Sequence, residues 1–251
     1  MSQIIAHRGA SAEAPENSMP ALELGMRLGA DAIELDVRRS ADGVLIVIHD
    51  ASLDRSTDAS GEVARLTMAE IETANLGAAS DVRIPRLAER AGVPRLRDVF
   101  DRFPHTEITV DVKDPAAAAD VVALIYELGR VDHTILYVEE GTDSSAFIEY
   151  QGRRATSTRQ ALRLVLDRGW LKRAAKRTVP EVVHTPMRRW GFPIVTQRLV
   201  QRVQETDRTI QVWTINEPTE ARRLATWGVD GIITDDVRGL RAALHGEGDT
   251  K

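Results

Sequence analysis

The chain alternates short runs of β-branched and aliphatic residues with longer stretches whose apolar positions recur every three or four residues. The short runs lie near 3–7, 31–37, 44–48, 107–113, 134–138, 153–157, 181–185, 210–215 and 230–234. Between most of them lie amphipathic stretches, at 116–128, 158–168, 196–205, 217–227 and 236–244, whose period predicts helices. Strand–helix alternation predicts a parallel sheet. A length of 251 residues suits its closure into an α/β architecture, the (β/α)8 or TIM barrel.

The strand-like runs number one more than eight staves require. Only residues 38–43 join the second and third, with Asp42-Gly43 as a turn, whereas a parallel crossover needs roughly a dozen residues. These two runs are therefore expected to form an antiparallel hairpin that rises above the barrel mouth and returns His49 to it. Residues 51–95 hold Leu53-Asp54-Arg55-Ser56-Thr57, a short helical pattern at 67–74, and the prolines Pro85 and Pro94. They read as an insertion folded over the mouth before a helix at 95–103. The expected organisation is one domain over 1–251, an insertion at about 51–95 after the second strand, and a frayed tail from His245.

Composition narrows the chemistry. Hydrophobic residues make up 43% of the chain and charged ones 28%, a balance that supports a sizeable core. There is no cysteine, so thiol nucleophiles and thiolate metal sites are excluded and any metal must sit on oxygen or imidazole. A formal net charge of -5 gives no global attraction to nucleic acid or anionic membranes. No signal-peptide pattern precedes Ile4 and no apolar run approaches a membrane span, so the expected setting is cytoplasmic, without stable membrane insertion.

Barrel enzymes carry their sites at the carboxyl ends of the strands. The first strand ends in His7-Arg8-Gly9. In the second, Ile33, Leu35 and Val37 share one face while Glu34 and Asp36 share the other. The apolar set must face the helices, which turns both carboxylates into the barrel. The fourth run repeats the device, with Ile108, Val110 and Val112 outward and Asp111 and Lys113 inward. Three buried carboxylates need compensation. It can come from Arg8 and Lys113, as an ion-pair network closing the barrel, or from a divalent cation, for which oxygen ligands suit Mg2+ or Ca2+.

His7 and His49 flank that cluster and fit general acid and base roles near neutral pH. Of the other histidines, His105, His133, His184 and His245, only His184 reaches toward the mouth, and it reads as structural. Arg188-Arg189-Trp190, in a loop on the mouth side, reads as a solvated rim, with a grip on an anionic or cationic headgroup as the alternative. The basic stretch 153–177 reads as a solvated outer helix face, with contact to an anionic surface as the alternative.

Seven motifs follow one another in order: His7-Arg8-Gly9, Glu16-Asn17-Ser18, Glu34-Leu35-Asp36-Val37, His49-Asp50, Leu53 to Thr57, Trp213-Thr214-Ile215-Asn216 and Asp230 to Asp235. In this order and spacing the chain, from residue 4 to about residue 236, resembles the glycerophosphodiester phosphodiesterase family. The resemblance implies a barrel with an insertion after the second strand. It implies His7 and His49 as catalytic acid and base, without saying which is which, and Glu34 and Asp36 as metal ligands. It further implies Arg8 and Lys113 at the phosphate and Trp213 lining the alcohol pocket.

Three positions depart from the family pattern. Asp111 stands where the third metal ligand is usually glutamate, one methylene longer, which bears on metal affinity rather than on the fold. Ser18 replaces a threonine and keeps its hydroxyl. Val138-Glu139-Glu140-Gly141 replaces a segment that often carries Ser-Phe, and adds negative charge near the substrate.

The implied reaction is metal-dependent hydrolysis of a small-molecule glycerophosphodiester to sn-glycerol 3-phosphate and an alcohol. Either water or the neighbouring glycerol hydroxyl is the nucleophile. A lysophospholipase D on lipid substrates is an alternative that asks for an apolar docking loop at the mouth, which 51–95 does not obviously offer. A catalytically silent phosphodiester-binding barrel is another, which asks for a missing histidine or carboxylate. No nucleic-acid partner is expected, and the pattern carries no signal for an oligomeric state.

Overall fold

In a computed structural model that describes residues 1–78, 91–114, 117–138, 145–166 and 180–246, the β-branched runs become strands and the amphipathic stretches become helices. The strands in chain order are β1 (Gln3–His7), β2 (Ala32–Arg39), β3 (Leu45–Val47), β4 (Glu107–Val112), β5 (Thr134–Val138) and β6 (Arg153–Arg154). They continue with β7 (Val182–Pro186), β8 (Arg188–Arg189), β9 (Phe192–Pro193), β10 (Thr209–Trp213) and β11 (Gly231–Thr234). Among the described residues the parallel order is β6-β5-β4-β2-β1-β11-β10-β7. A parallel bridge between Ala155 and Val182 links the two ends, so eight staves make a nearly closed barrel.

Period-two alternation sorts the core. Ile33, Leu35 and Val37 from β2 and Ile108, Val110 and Val112 from β4 are buried against Leu96, Val99, Phe100, Val121 and Ile125 on the surrounding helices. Each such side chain contributes roughly 1.5–3 kcal/mol by leaving water. A second apolar cluster joins Ile4, Ile210, Val212 and Ile232 to Leu199, Val203, Leu224 and Leu240 on the other side of the barrel.

Helix ends follow their capping residues. Ser18 caps the helix Met19–Arg27, its Oγ accepting from the Ala21 N–H at 3.2 Å, so the hydroxyl kept at this position has a structural use. Thr196 caps Gln197–Gln204 in the same way, and Gly228, at φ 86, ends Pro218–Trp227 in a left-handed turn.

β3 pairs with β2 antiparallel, Val37 opposite Val47 and Arg39 opposite Leu45, and Gly43 supplies the left-handed turn residue at φ 85. The expected hairpin is present. Arg38 Nε donates to the His49 carbonyl at 2.8 Å, which ties the end of the returning chain back to β2. Ile46 and Ile48 then pack on Leu53, Val63, Met68 and Ile71, giving the inserted segment an apolar cluster of its own. Within it the helical pattern at 67–74 is a single turn, Met68–Ile71, opened by a Thr67–Glu70 capping box.

Three expectations change. The run at 153–157 contributes only Arg153–Arg154 to the sheet before the single bridge at Ala155. Thr156 and Ser157 turn polar there, and the Thr156 hydroxyl takes the His184 N–H at 3.0 Å in place of a full ladder. The loop after β7, expected as a solvated rim with no strand of its own among the runs, contains the two-stranded hairpin β8–β9. The final helix runs to His245, which is thus not part of a frayed tail. Pro85, the Glu139-Glu140-Gly141 departure, much of the basic stretch and the last five residues lie outside the described residues.

Candidate active site

Strand register assembles the site. β1 pairs with β2 so that His7 lies beside Glu34, and β2 pairs with β4 so that Asp36 lies beside Asp111. β1 also pairs with β11, Ala6 beside Thr234, which sets His7 next to Asp235 at the same end of the barrel. Gly9, at φ 85, lets the chain after β1 lie against the helix Met19–Arg27. A Cβ there would sit 2.4 Å from the Ala21 carbonyl carbon. The result is a cavity of about 260 Å3 lined by His7, Arg8, Glu34, Asp36, His49, Asp111, Lys113 and Trp213, among others. Every site residue expected from the sequence is brought into this one pocket.

Glu34, Asp36 and Asp111 are all buried, and one oxygen from each lies within 4.8 Å of the others. Burial presses all three toward the protonated form, with different outcomes. Asp36 resists it and stays below its ordinary value, because Arg8 Nε lies at 3.0 Å, Lys113 Nζ at 3.3 Å, and Asn17 Nδ2 donates at 2.8 Å. Glu34 is pushed up to about 7 by burial and by the Asp36 charge. Asp111 is raised well above its ordinary value by burial, although Lys113 Nζ is 2.6 Å from its Oδ2. Its Oδ1 is buried without a hydrogen-bond partner among the described residues. Three converging carboxylates with an orphaned oxygen fit a hard divalent cation.

Each site imidazole is held by a carboxylate. His7 Nδ1 is 2.6 Å from Asp235 Oδ1, and Asp235 also accepts from Ser11 Oγ at 2.8 Å and Asn216 Nδ2 at 2.7 Å. Burial lowers the His7 value, but Asp235 and Glu34 outweigh it and leave the ring above its ordinary range. His49 Nδ1 is 2.6 Å from Asp50 Oδ1. Asp50 is held down to about 2, mainly by its hydrogen bond from Arg55. A carboxylate only accepts, so each Nδ1 donates, and the lone pair of a neutral ring lies on Nε2.

Several of these supporting residues stand in the sequence motifs without an assigned role. Glu16 accepts from Arg8 at 3.1 Å and from Arg55 at 2.6 Å, which ties the first loop to the insertion. Asp235 follows the last strand and reads locally as a residue before a helix. His184, expected as structural, is indeed buried, and burial lowers it to about 3. Its ring is also part of the pocket wall, 4.7 Å from Tyr137 and 5.7 Å from Trp213. Arg189 lines the pocket as well, whereas a solvated rim was expected of it.

A parallel barrel with its acidic, imidazole and cationic groups gathered at the carboxyl ends of the strands defines a (β/α)8-barrel hydrolase. The chain matches the model of the glycerophosphoryl diester phosphodiesterase family over residues 7–238. It is 29% identical to a probable glycerophosphodiester phosphodiesterase 2 of Mycobacterium tuberculosis, covering 98% of this chain and 91% of that protein. Among solved structures it resembles a glycerophosphodiester phosphodiesterase of Agrobacterium tumefaciens, at 30% identity and a TM-score of 0.77, covering 96% of this chain and 100% of that one. A phosphodiesterase of Oleispira antarctica, in complex with the product sn-glycerol-3-phosphate, shares the fold at 20% identity and a TM-score of 0.77, covering 97% of each chain. The chain belongs to the glycerophosphodiester phosphodiesterase family, a class of phosphoric diester hydrolases.

Proposed function

We propose that the protein hydrolyses glycerophosphodiesters to sn-glycerol 3-phosphate and an alcohol, with His7 and His49 as the acid–base pair and Glu34, Asp36 and Asp111 as ligands of one Mg2+ or Ca2+. The observation that carries this reading is the meeting of both histidines and all three carboxylates in one pocket. The product bound by the Oleispira relative supports the glycerol 3-phosphate side of it.

Arg8 and Lys113 bring two positive charges to the carboxylate cluster, where a phosphodiester anion would otherwise meet only repulsion. One imidazole takes the proton of the attacking hydroxyl through its Nε2, and the other gives a proton to the departing alcohol oxygen. Asp235 and Asp50 fix the two rings in the tautomer this exchange needs. A divalent cation on the three carboxylates supplies Lewis-acid neutralisation of the phosphoryl oxygens when bound. Trp213, stacked beyond His184, walls the side on which the alcohol sits, and its Nε1 is buried without a partner among the described residues.

The same reading treats 1–251 as one barrel domain with an insertion at about 51–95, acting in the cytoplasm on products of lipid turnover. No helix among the described residues is long and apolar enough to cross a membrane. The test is release of glycerol 3-phosphate from glycerophosphocholine with divalent metal, after EDTA, and after Mg2+ or Ca2+ is restored. Release that EDTA stops and metal restores is expected. Full activity in EDTA removes the cation, and no release under any condition removes the reaction.

A further inference from the structure

The hairpin β8–β9 carries two aromatic side chains that the fold does not use. Arg189 pairs with Phe192, so Trp190 and Gly191 form a two-residue turn. Their φ values of 48 and 80 are those of a type I′ turn, whose first position favours Asn, Asp or Gly. A bulky residue at positive φ is an outlier that needs a reason. Burial is not the reason, because Trp190 is 77% exposed and Phe192 72%.

Place and charge supply one. The hairpin follows β7, whose carboxyl end faces the mouth, and Arg189 lines the active pocket. Arg188 is exposed, and the Arg189 guanidinium sits over the Trp190 ring at 4.8 Å. Residues 182–195 contain no acid, a local reversal in a chain of net charge -5. Arg159 is exposed beside Thr158, another pocket residue, on the neighbouring helix. Exposed Trp and Phe flanked by Arg are the side chains that enter the headgroup layer of a bilayer. A second copy of this chain suits the tip poorly, because a two-fold contact would set its arginines against one another.

We propose that the β8–β9 hairpin docks the mouth of the barrel on an anionic lipid surface, where glycerophosphodiesters that keep an acyl chain present their headgroups to the pocket. A cavity of about 260 Å3 takes a headgroup and leaves an acyl chain outside, beside this tip. The docking loop not evident in the insertion is thus supplied by the segment after β7. The substrate half of the proposal rests on the diesterase reading; the docking half does not.

The test uses the full chain and a Trp190→Asn, Phe192→Thr variant, which keeps a favoured turn residue and a strand former so that the hairpin still folds. Cosedimentation is measured with phosphatidylcholine vesicles containing or lacking phosphatidylserine, and turnover with soluble glycerophosphocholine and with vesicle-borne lysophosphatidylcholine. Expected are binding to the phosphatidylserine vesicles and at least about a tenfold loss of binding and of vesicle-borne turnover in the variant. Turnover of soluble diester should stay within about twofold. Wild-type protein that ignores the vesicles, a variant that binds them equally, or a variant that loses only self-association overturns the proposal. Vesicle binding that the variant loses, with no hydrolysis of either diester, supports docking and contradicts the diesterase reading instead.

Discussion

His7 Nδ1 lies 2.6 Å from Asp235 Oδ1, although 228 residues separate the two in the chain. The closure of the barrel makes the pair. β1 and β11 are neighbours in register, and each places the residue at or just past its carboxyl end over the mouth. Because Asp235 also takes bonds from Ser11 and Asn216, it is a fixed acceptor and can hold the imidazole in one tautomer and one orientation.

Asp235→Asn therefore removes orientation and charge while leaving the pocket's shape. Turnover should fall by a large part of the roughly 10²–10⁴-fold that a positioned acid–base group is worth, with KM little changed. The His7 value, now without its carboxylate, should drop, and the pH profile of kcat/KM should move with it. An NMR titration of the His7 ring checks the cause. A variant with lower turnover but an unshifted His7 would reduce Asp235 to a structural role.

The same pair contributes to acid stability. Burial disfavours the Asp235 charge, but hydrogen bonds from His7, Asn216 and Ser11 hold it down to about 2, against an unfolded value near 3.9. The unfolded chain thus takes up the proton first as pH falls, so this stability is complete above about pH 4 and lost on the way down to about pH 2. Thermal melts of the wild type and Asp235→Asn should differ most above pH 4 and converge toward pH 2. A gap that stays constant across that range would contradict the assignment.

Asp111 stands one methylene short of the family's usual glutamate, and its Oδ1 is buried without a partner among the described residues. Restoring reach with Asp111→Glu should let that oxygen engage the cation directly. The metal concentration for half-maximal activity should fall by about three- to tenfold, as measured by metal titration after chelation. Weaker metal binding in the variant would indicate that this pocket is already fitted to aspartate.

Much of this was legible in the sequence because a strand has a strict period of two. Ile33, Leu35 and Val37 had to face the helices, and that alone turned Glu34 and Asp36 inward, as found. Asp42-Gly43, with six residues between two strands, forced the hairpin that returns His49. Asp235 was not assigned a role because its partner is at the other end of the chain, and locally it reads as the approach to a helix. His184 looked structural because one buried histidine in a strand gives no sign that Tyr137 and Trp213 flank it. The β8–β9 hairpin was missed because Arg-Arg-Trp-Gly-Phe lacks alternation and puts tryptophan where a turn residue is expected. β6 is shorter than the run at 153–157 suggests, because only the single bridge at Ala155 follows Arg154 and the Thr156 hydroxyl takes the His184 N–H.

Proton exchange by two carboxylate-held imidazoles beside one cluster of three acids predicts a clear outcome for steady-state hydrolysis of glycerophosphocholine by His7→Ala and His49→Ala, measured at saturating divalent metal alongside thermal melts of both. Each variant should lose about a hundredfold or more in turnover while keeping a cooperative melt. Wild-type turnover in either one, with the fold intact, would contradict it.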